Sequence, residues 1–100
     1  MNVRISNEGT KTLVVLNGRI DTTNVGQFHE DIQPLLEGDN PDIEIDCRDM
    51  EYTSSQGLRM FLVLQKSVNT RNGSLVLKNM QPQVKEVFDI TGFSNIIKIL

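Results

Sequence analysis

The sequence predicts one α/β domain over residues 1–100, with the element order ββαβαβαβ. Three observations predict this class. The length suits a single hydrophobic core. Short apolar runs alternate with segments whose apolar residues have helical spacing, and turn residues separate these segments. Strands that alternate with helices predict a mixed, mostly parallel sheet, to which an opening hairpin adds an antiparallel edge.

The hairpin is predicted at the start of the chain. Val3 and Ile5 alternate with polar residues as in a half-buried strand, and residues 7–10 have the composition of a hairpin turn. The apolar run at residues 13–16 predicts an inner strand that is covered on much of both faces and ends at Gly18.

The first helix is predicted after residues 21–23, whose three side chains are all candidate N-caps. Apolar residues at helical spacing then define a core-facing stripe: Val25, Phe28, Ile32, Leu35 and Leu36. Pro34 should kink or end this helix near Gln33, because proline removes a backbone donor.

Residues 42–47 alternate polar and apolar with period two, which predicts a strand. If this strand is central, its polar residues leave one sheet face incompletely covered, and the helices lie mainly on the other face. A polar corner at residues 52–57 leads into a second helix that ends at residues 71–73. Its apolar residues are Leu58, Met60, Phe61, Leu62, Val63, Leu64 and Val68.

The last third of the chain predicts a buried strand at residues 75–77 and a third helix that starts at Pro82. Val84, Val87 and Phe88 form its inner stripe, and Gly92 terminates it. Residues 96–100 predict a final short strand.

Composition excludes several classes of function. A net charge of −3, with ten scattered Lys and Arg residues, argues against a nucleic-acid partner and against anionic membranes. No apolar stretch reaches the roughly 18 residues of a membrane span, and the first residues do not resemble a secretory segment. We therefore expect a cytoplasmic protein without membrane insertion. The single cysteine, Cys47, is expected to be a small buried apolar side chain rather than a reactive thiol.

Catalysis is not expected. A serine nucleophile needs an oriented base, and the only histidine, His29, follows a core residue on the first helix and should face solvent. One cysteine and one histidine lack the spacing of a metal site, and no phosphate-binding loop is present. The sequence predicts no catalytic residue, no metal and no cofactor.

The serine pair at residues 54–55 lies where a helix is predicted to begin. One serine can simply cap the helix, which is worth about 1 kcal/mol. A hydroxyl at this position can also accept a phosphate, because free N–H groups and the helix dipole favour an anion there. The pattern itself leaves both interpretations open.

Four segments together resemble a known family: residues 18–21, the acidic-bounded strand up to Asp49, residues 52–59, and residues 87–93. They resemble the anti-sigma factor antagonist branch of the STAS domain family over essentially the whole chain. The resemblance implies a bacterial partner switch in which the unphosphorylated antagonist binds an anti-sigma factor kinase and frees the sigma factor. The kinase then phosphorylates a serine, the complex separates, and a PP2C-type phosphatase resets the system.

Anchored on Gly57, the resemblance implies phosphorylation at Ser55, with Ser54 and then Thr53 as weaker candidates. Many antagonists have an aspartate where this chain has Ser54 and a Ser or Thr where it has Gln56. The partner-binding surface implied for this chain comprises Asp21, Thr22, Thr23, Ser54, Ser55, Gln56 and Arg59.

Two alternatives remain at this stage. The chain could be a constitutive interaction subunit of a lipid-transport or other cytosolic complex, docking through Met60 and Val63 while Ser55 merely caps. A stand-alone hydrolase is the third hypothesis, and it lacks a base for its serine. The expected oligomeric state is a monomer or a weak dimer formed through an edge strand.

Overall fold

The computed structural model describes all of residues 1–100. Its single sheet has five strands in the order β1-β2-β3-β4-β5, and β1 is antiparallel to β2 while all other neighbours are parallel. The strands are β1 (Asn2–Glu8), β2 (Lys11–Ile20), β3 (Asp42–Thr53), β4 (Ser74–Lys78) and β5 (Lys98–Ile99).

Three α-helices connect the parallel strands: α1 (Val25–Asp31), α2 (Ser55–Thr70) and α3 (Pro82–Ile90). Short 3-10 turns at Gln33–Leu36 and Phe93–Asn95 complete the chain. The predicted α/β class, the element order and the antiparallel opening hairpin are confirmed.

All three helices pack on the same face of the sheet. The ring of Phe61 on α2 lies 5.7 Å from that of Phe28 on α1 and 5.6 Å from that of Phe88 on α3. Beneath them, β3 contributes Ile43 and Ile45, which are both buried. Burying such side chains supplies roughly 1.5–3 kcal/mol each, so this layer holds the helices on the sheet.

The opposite face of the sheet has no helix and remains polar. Glu44 on the central strand pairs with Lys78 at 2.6 Å and with Lys11 at 3.6 Å. The hydrogen bond from Lys78 holds the pKa of the Glu44 carboxyl below its usual value. This confirms that period-two alternation in β3 marks a sheet with one incompletely covered face.

The prediction that residues 13–16 are covered on much of both faces was wrong. Val14 and Leu16 are buried, whereas Val15 on the open face is 37% exposed. The apolar run looks two-sided in sequence, but in a sheet with helices on one face alternate residues of a strand must face solvent.

Both β2 and β3 run further than predicted. β2 passes Gly18, which has a φ of 110°, and ends at Ile20. β3 continues to Thr53 because it contains two extra residues: between the pairs Val15↔Asp46 and Arg19↔Tyr52, β2 advances by four positions and β3 by six. Such bulges turn the strand, so its buried positions change from period two to a spacing of three.

Pro34 acts as predicted, since α1 ends at Asp31 and the proline lies in the first turn of a 3-10 segment. The predicted N-cap at residues 21–23 was wrong: Asn24 occupies the cap position of α1. Gly92 adopts a left-handed conformation after α3, as predicted for the end of that helix. The final strand is reduced to two residues within the predicted range.

None of the helices combines the length and the apolar character that crossing a membrane requires.

Candidate functional site

The predicted site lies where β2 and β3 end side by side at one edge of the sheet. The backbone N–H of Ser54 donates to the carbonyl of Ile20 at 2.9 Å. Each of these residues directly precedes a predicted site residue, Ser55 and Asp21 respectively. The β2–α1 loop and the start of α2 are therefore joined by a backbone hydrogen bond.

The two serines have different roles at the start of α2. Ser54 has an extended backbone and is the N-cap, and its Oγ accepts a hydrogen bond from the N–H of Gly57 at 3.2 Å. Ser55 is the first helical residue, its side chain is exposed, and its hydroxyl has no intramolecular hydrogen bond. Because Ser54 already caps the helix, the hydroxyl of Ser55 is free.

Gly57 lets α2 begin close against the ends of both strands. A Cβ atom on this residue would lie 2.4 Å from Oγ1 of Thr53 and 2.8 Å from Cγ2 of Ile20. Thr53 is itself only 4% exposed, and its hydroxyl donates to the carbonyl of Ser54 at 3.2 Å. Of the three predicted hydroxyl candidates, Ser55 is thus exposed, Ser54 caps the helix and Thr53 is buried.

The β2–α1 loop is ordered by its own polar side chains. Oδ1 of Asp21 accepts hydrogen bonds from the backbone N–H of Thr23, at 2.9 Å, and from the Thr23 hydroxyl. These bonds hold the pKa of the Asp21 carboxyl below its usual value. Asn24 completes the loop by accepting from the N–H of Asp21 and donating to the carbonyl of Arg19. Thr22 is exposed, and its hydroxyl makes no intramolecular hydrogen bond.

A shallow groove of about 290 Å³ lies between α1 and α2, in the first turns of both helices. Gln56 and Arg59 of the predicted surface line one wall of this groove. Sequence reasoning had not grouped the other lining residues with the site: Val25, Gly26, His29 and Met60. His29 is exposed as predicted, but it faces this groove.

An exposed cation–π pair adjoins the same edge and was also missed. The guanidinium carbon of Arg19 lies 4.6 Å from the ring centroid of Tyr52, which is 41% exposed. The two residues are paired across β2 and β3. Their juxtaposition depends on the extra residues in β3, which sequence alternation does not reveal.

These groups form an exposed polar surface on which the hydroxyls of Thr22 and Ser55 make no intramolecular hydrogen bond. No group of three or more His, Cys, Asp or Glu side chains is arranged to hold a metal ion. The free Cys47 is buried under the helices, and desolvation raises the pKa of its thiol to about 12, so it is a poor nucleophile.

Comparison with known proteins agrees with this architecture. The STAS domain family model matches residues 2–100. The anti-sigma-B factor antagonist of Bacillus subtilis is 33% identical over 99 residues, which are 99% of this chain and 90% of that protein.

Two solved structures show the same fold. An anti-sigma-factor antagonist (STAS) domain protein from Planctomyces limnophilus superimposes with a TM-score of 0.87 at 18% identity, over 98% of this chain and 87% of that chain. The Bacillus cell fate determinant SpoIIAA in its phosphorylated form gives 0.73 at 18% identity, over 99% and 91% of the two chains. The chain therefore belongs to the STAS domain family, and it resembles anti-sigma factor antagonists over most of its length.

Proposed function

We propose that this chain is an anti-sigma factor antagonist controlled by phosphorylation at Ser55. In its unphosphorylated form it binds an anti-sigma factor kinase and so releases the sigma factor, and phosphorylation ends that binding. The observation that supports this most is the division between the two serines: Ser54 is used as the helix cap, whereas Ser55 is exposed and unbonded.

Accessibility favours Ser55 among the three candidate hydroxyls. Thr53 is buried beneath the start of α2, and phosphorylation of Ser54 would remove the cap that this helix uses. Ser55 lies one residue further on, where its Oγ can meet a nucleotide without loss of a hydrogen bond. The structure of the Bacillus cell fate determinant SpoIIAA in its phosphorylated form supports the view that this fold can carry a phosphate.

In the proposed reaction, Oγ of Ser55 attacks the γ-phosphorus of ATP on the kinase. The new Oγ–P bond forms as the bond between that phosphorus and the β–γ bridging oxygen breaks, ADP leaves, and a base of the kinase takes the hydroxyl proton. The product carries nearly two additional negative charges on the surface that docks the partner. Like-charge contact and the cost of desolvating a dianion then separate the complex.

The partner surface in this proposal comprises the seven residues expected from the sequence, together with the α1–α2 groove that Gln56 and Arg59 line. Tyr52 and Arg19 extend it onto the sheet edge, and residues of these types are enriched among the strong contacts of protein interfaces. A PP2C-type phosphatase would reset the protein, which we place in the cytoplasm as a monomer or weak dimer.

The test is incubation with ATP and the anti-sigma kinase encoded nearest to the gene, followed by intact-mass analysis and peptide mapping. We expect one phosphate on Ser55, none in Ser55→Ala, and weaker kinase binding by Ser55→Asp in a titration. Ser54→Ala is the matched control: it should lose about 1 kcal/mol of stability with the cap, yet still gain the phosphate. A stable complex without phosphate transfer would overturn the proposal.

One observation favours a second candidate, the constitutive subunit of a lipid-transport or other complex. Val63 on α2 is 39% exposed, and Met60 on the same helix lines the groove. In that case Val63→Ser would abolish partner capture while Ser55→Asp would not. The phospho-switch predicts the opposite ranking of these two variants.

A further inference from the structure

Arg59 lies one helical turn after Ser55 and has no charged partner. It is exposed, and the ion pairs of the structure join only Lys11 or Lys78 to Glu44 and Lys85 to Asp89. Besides Ser55, its neighbours on α2 at spacings of three and four are uncharged: Gln56, Leu62 and Val63. The guanidinium is therefore free to take a partner that the unmodified protein does not supply.

Helix geometry directs this side chain toward Ser55. Residues at i and i+4 lie on the same helix face, with Cβ atoms about 5–6 Å apart. Because the Cα–Cβ bond of a helical residue tilts toward the N-terminus, the Arg59 side chain extends back over the first turn of α2. An anion that precedes a cation by four residues is also the more favourable orientation of such a pair.

We propose that Arg59 is the intramolecular receptor of the phosphate on Ser55. This inference rests on the proposed phosphorylation of Ser55 and specifies what the phosphate does once it is attached. A planar guanidinium can bind two phosphate oxygens at once, which a lysine cannot do in the same geometry. The phosphorylated antagonist then has a dianion and Arg59 clamped together across the first turn of α2.

The consequence for the partner surface is twofold. Arg59 lines the α1–α2 groove in the unmodified protein, so an acidic group of the kinase can pair with it there. Phosphorylation then both adds negative charge and withdraws this cation from the groove. Both changes act in the same direction, which makes the switch sharper than added charge alone.

The experiment uses phosphoserine encoded genetically at position 55 of the full chain, so that it needs no kinase. The pH titration of the phosphate is followed by 31P NMR in the Arg59 protein and in Arg59→Gln. Since a phosphoserine loses its second proton near about pH 6, a nearby cation must lower that midpoint. We expect Arg59→Gln to raise it by about 0.5 pH unit.

Lys66→Gln is the matched control. It removes one positive charge from an exposed position of the same helix, 11 residues after Ser55, which is about 16 Å along the helix axis and beyond the Debye length of about 10 Å. All variants keep Asp21 and His29, so the contribution of these neighbours cancels. A shift of the same size in both variants, or in neither, would overturn the proposal.

A second readout tests contact rather than charge. The Nε–H resonance of Arg59 should shift and exchange more slowly with water when position 55 is phosphoserine than when it is serine. An unchanged resonance would count against a direct clamp. If the clamp is observed but no kinase modifies Ser55, the proposed function fails while this geometry stands, so the two failures are distinguishable.

Discussion

The two adjacent serines at the start of α2 have different structural roles. Ser54 and Ser55 are indistinguishable by composition, and only the backbone decides that Ser54 precedes the helix while Ser55 is its first residue. A side chain at the cap position can reach the N–H three residues on, whereas one at the first helical position cannot. The separation of a capping serine from an exposed serine therefore depends on a single residue of helix register.

Gly57 provides the first prediction at this scale. Gly57→Ala should destabilise the protein by about 1–3 kcal/mol, because the added methyl group meets buried atoms of Thr53 and Ile20. Gly26→Ala on α1 is the control, since nothing lies within 4 Å of its Cβ position, and it should be neutral or stabilising by up to about 1 kcal/mol. Chemical denaturation of both variants gives the comparison. Equal effects would show that helix propensity, rather than close packing, decides the outcome.

Sequence patterns predicted the elements better than their ends. The alternation of Ile43, Ile45 and Cys47 revealed both the strand and the open sheet face, because the pleat imposes that period. The continuation of β3 to Thr53 was not predictable, since a bulge leaves no periodic signal of its own. For the candidate site, the serines could be placed at a helix start. The groove could not, because α1 and α2 meet only through the tertiary fold.

At the level of elements, Arg71 ties the segment after α1 to the end of α2. Its guanidinium donates to the carbonyls of Leu35 and Glu37, both at 2.7 Å, and to that of Gly38 at 3.2 Å. The backbone carbonyl of Arg71 accepts from the N–H of Asn40 at 2.9 Å. One side chain thus satisfies carbonyls that the irregular segment around Pro34 cannot pair by itself.

Arg71→Gln should therefore lower the free energy of unfolding by about 1–2 kcal/mol. Amide hydrogen exchange at Asn40 should accelerate by more than the global change in stability explains, because the segment opens locally. Lys66→Gln, an exposed change on the same helix, should stay within about 0.5 kcal/mol of the parent. Unchanged exchange at Asn40 would mean that this segment is held by its apolar residues alone.

The whole molecule is asymmetric, and this asymmetry separates stability from function. Helices cover one sheet face with the three-phenylalanine layer, while the other face is polar and ion-paired. The candidate site lies at the rim between the strand ends and the helices, where backbone geometry is fixed by the core but side chains remain exposed. In the proposed switch, a phosphate at Ser55 would change the surface charge without disturbing the packed layer, so the change would not require unfolding.

Cys47 lies in that packed layer, and its thiol makes the free energy of unfolding depend on pH. Burial, and next the charge of Asp46, raises the pKa of its thiol from 9.0 to about 12. The folded state therefore holds this proton more tightly than the unfolded state. The resulting stability is fully present below pH 9 and is lost as the pH rises toward 12, with a slope of up to about 1.4 kcal/mol per pH unit.

Cys47→Ala isolates this contribution, because the cavity it leaves lowers stability by an amount that does not depend on pH. We expect the difference in unfolding free energy between the parent and Cys47→Ala to be constant from pH 7 to 8.5 and to shrink between pH 9 and 10.5. Thiol modification of the native parent at pH 8 should proceed only as fast as the protein opens. Curves that stay parallel up to pH 10.5 would mean that the thiol reaches water in the folded state, and that the layer between sheet and helices is looser than its packing indicates.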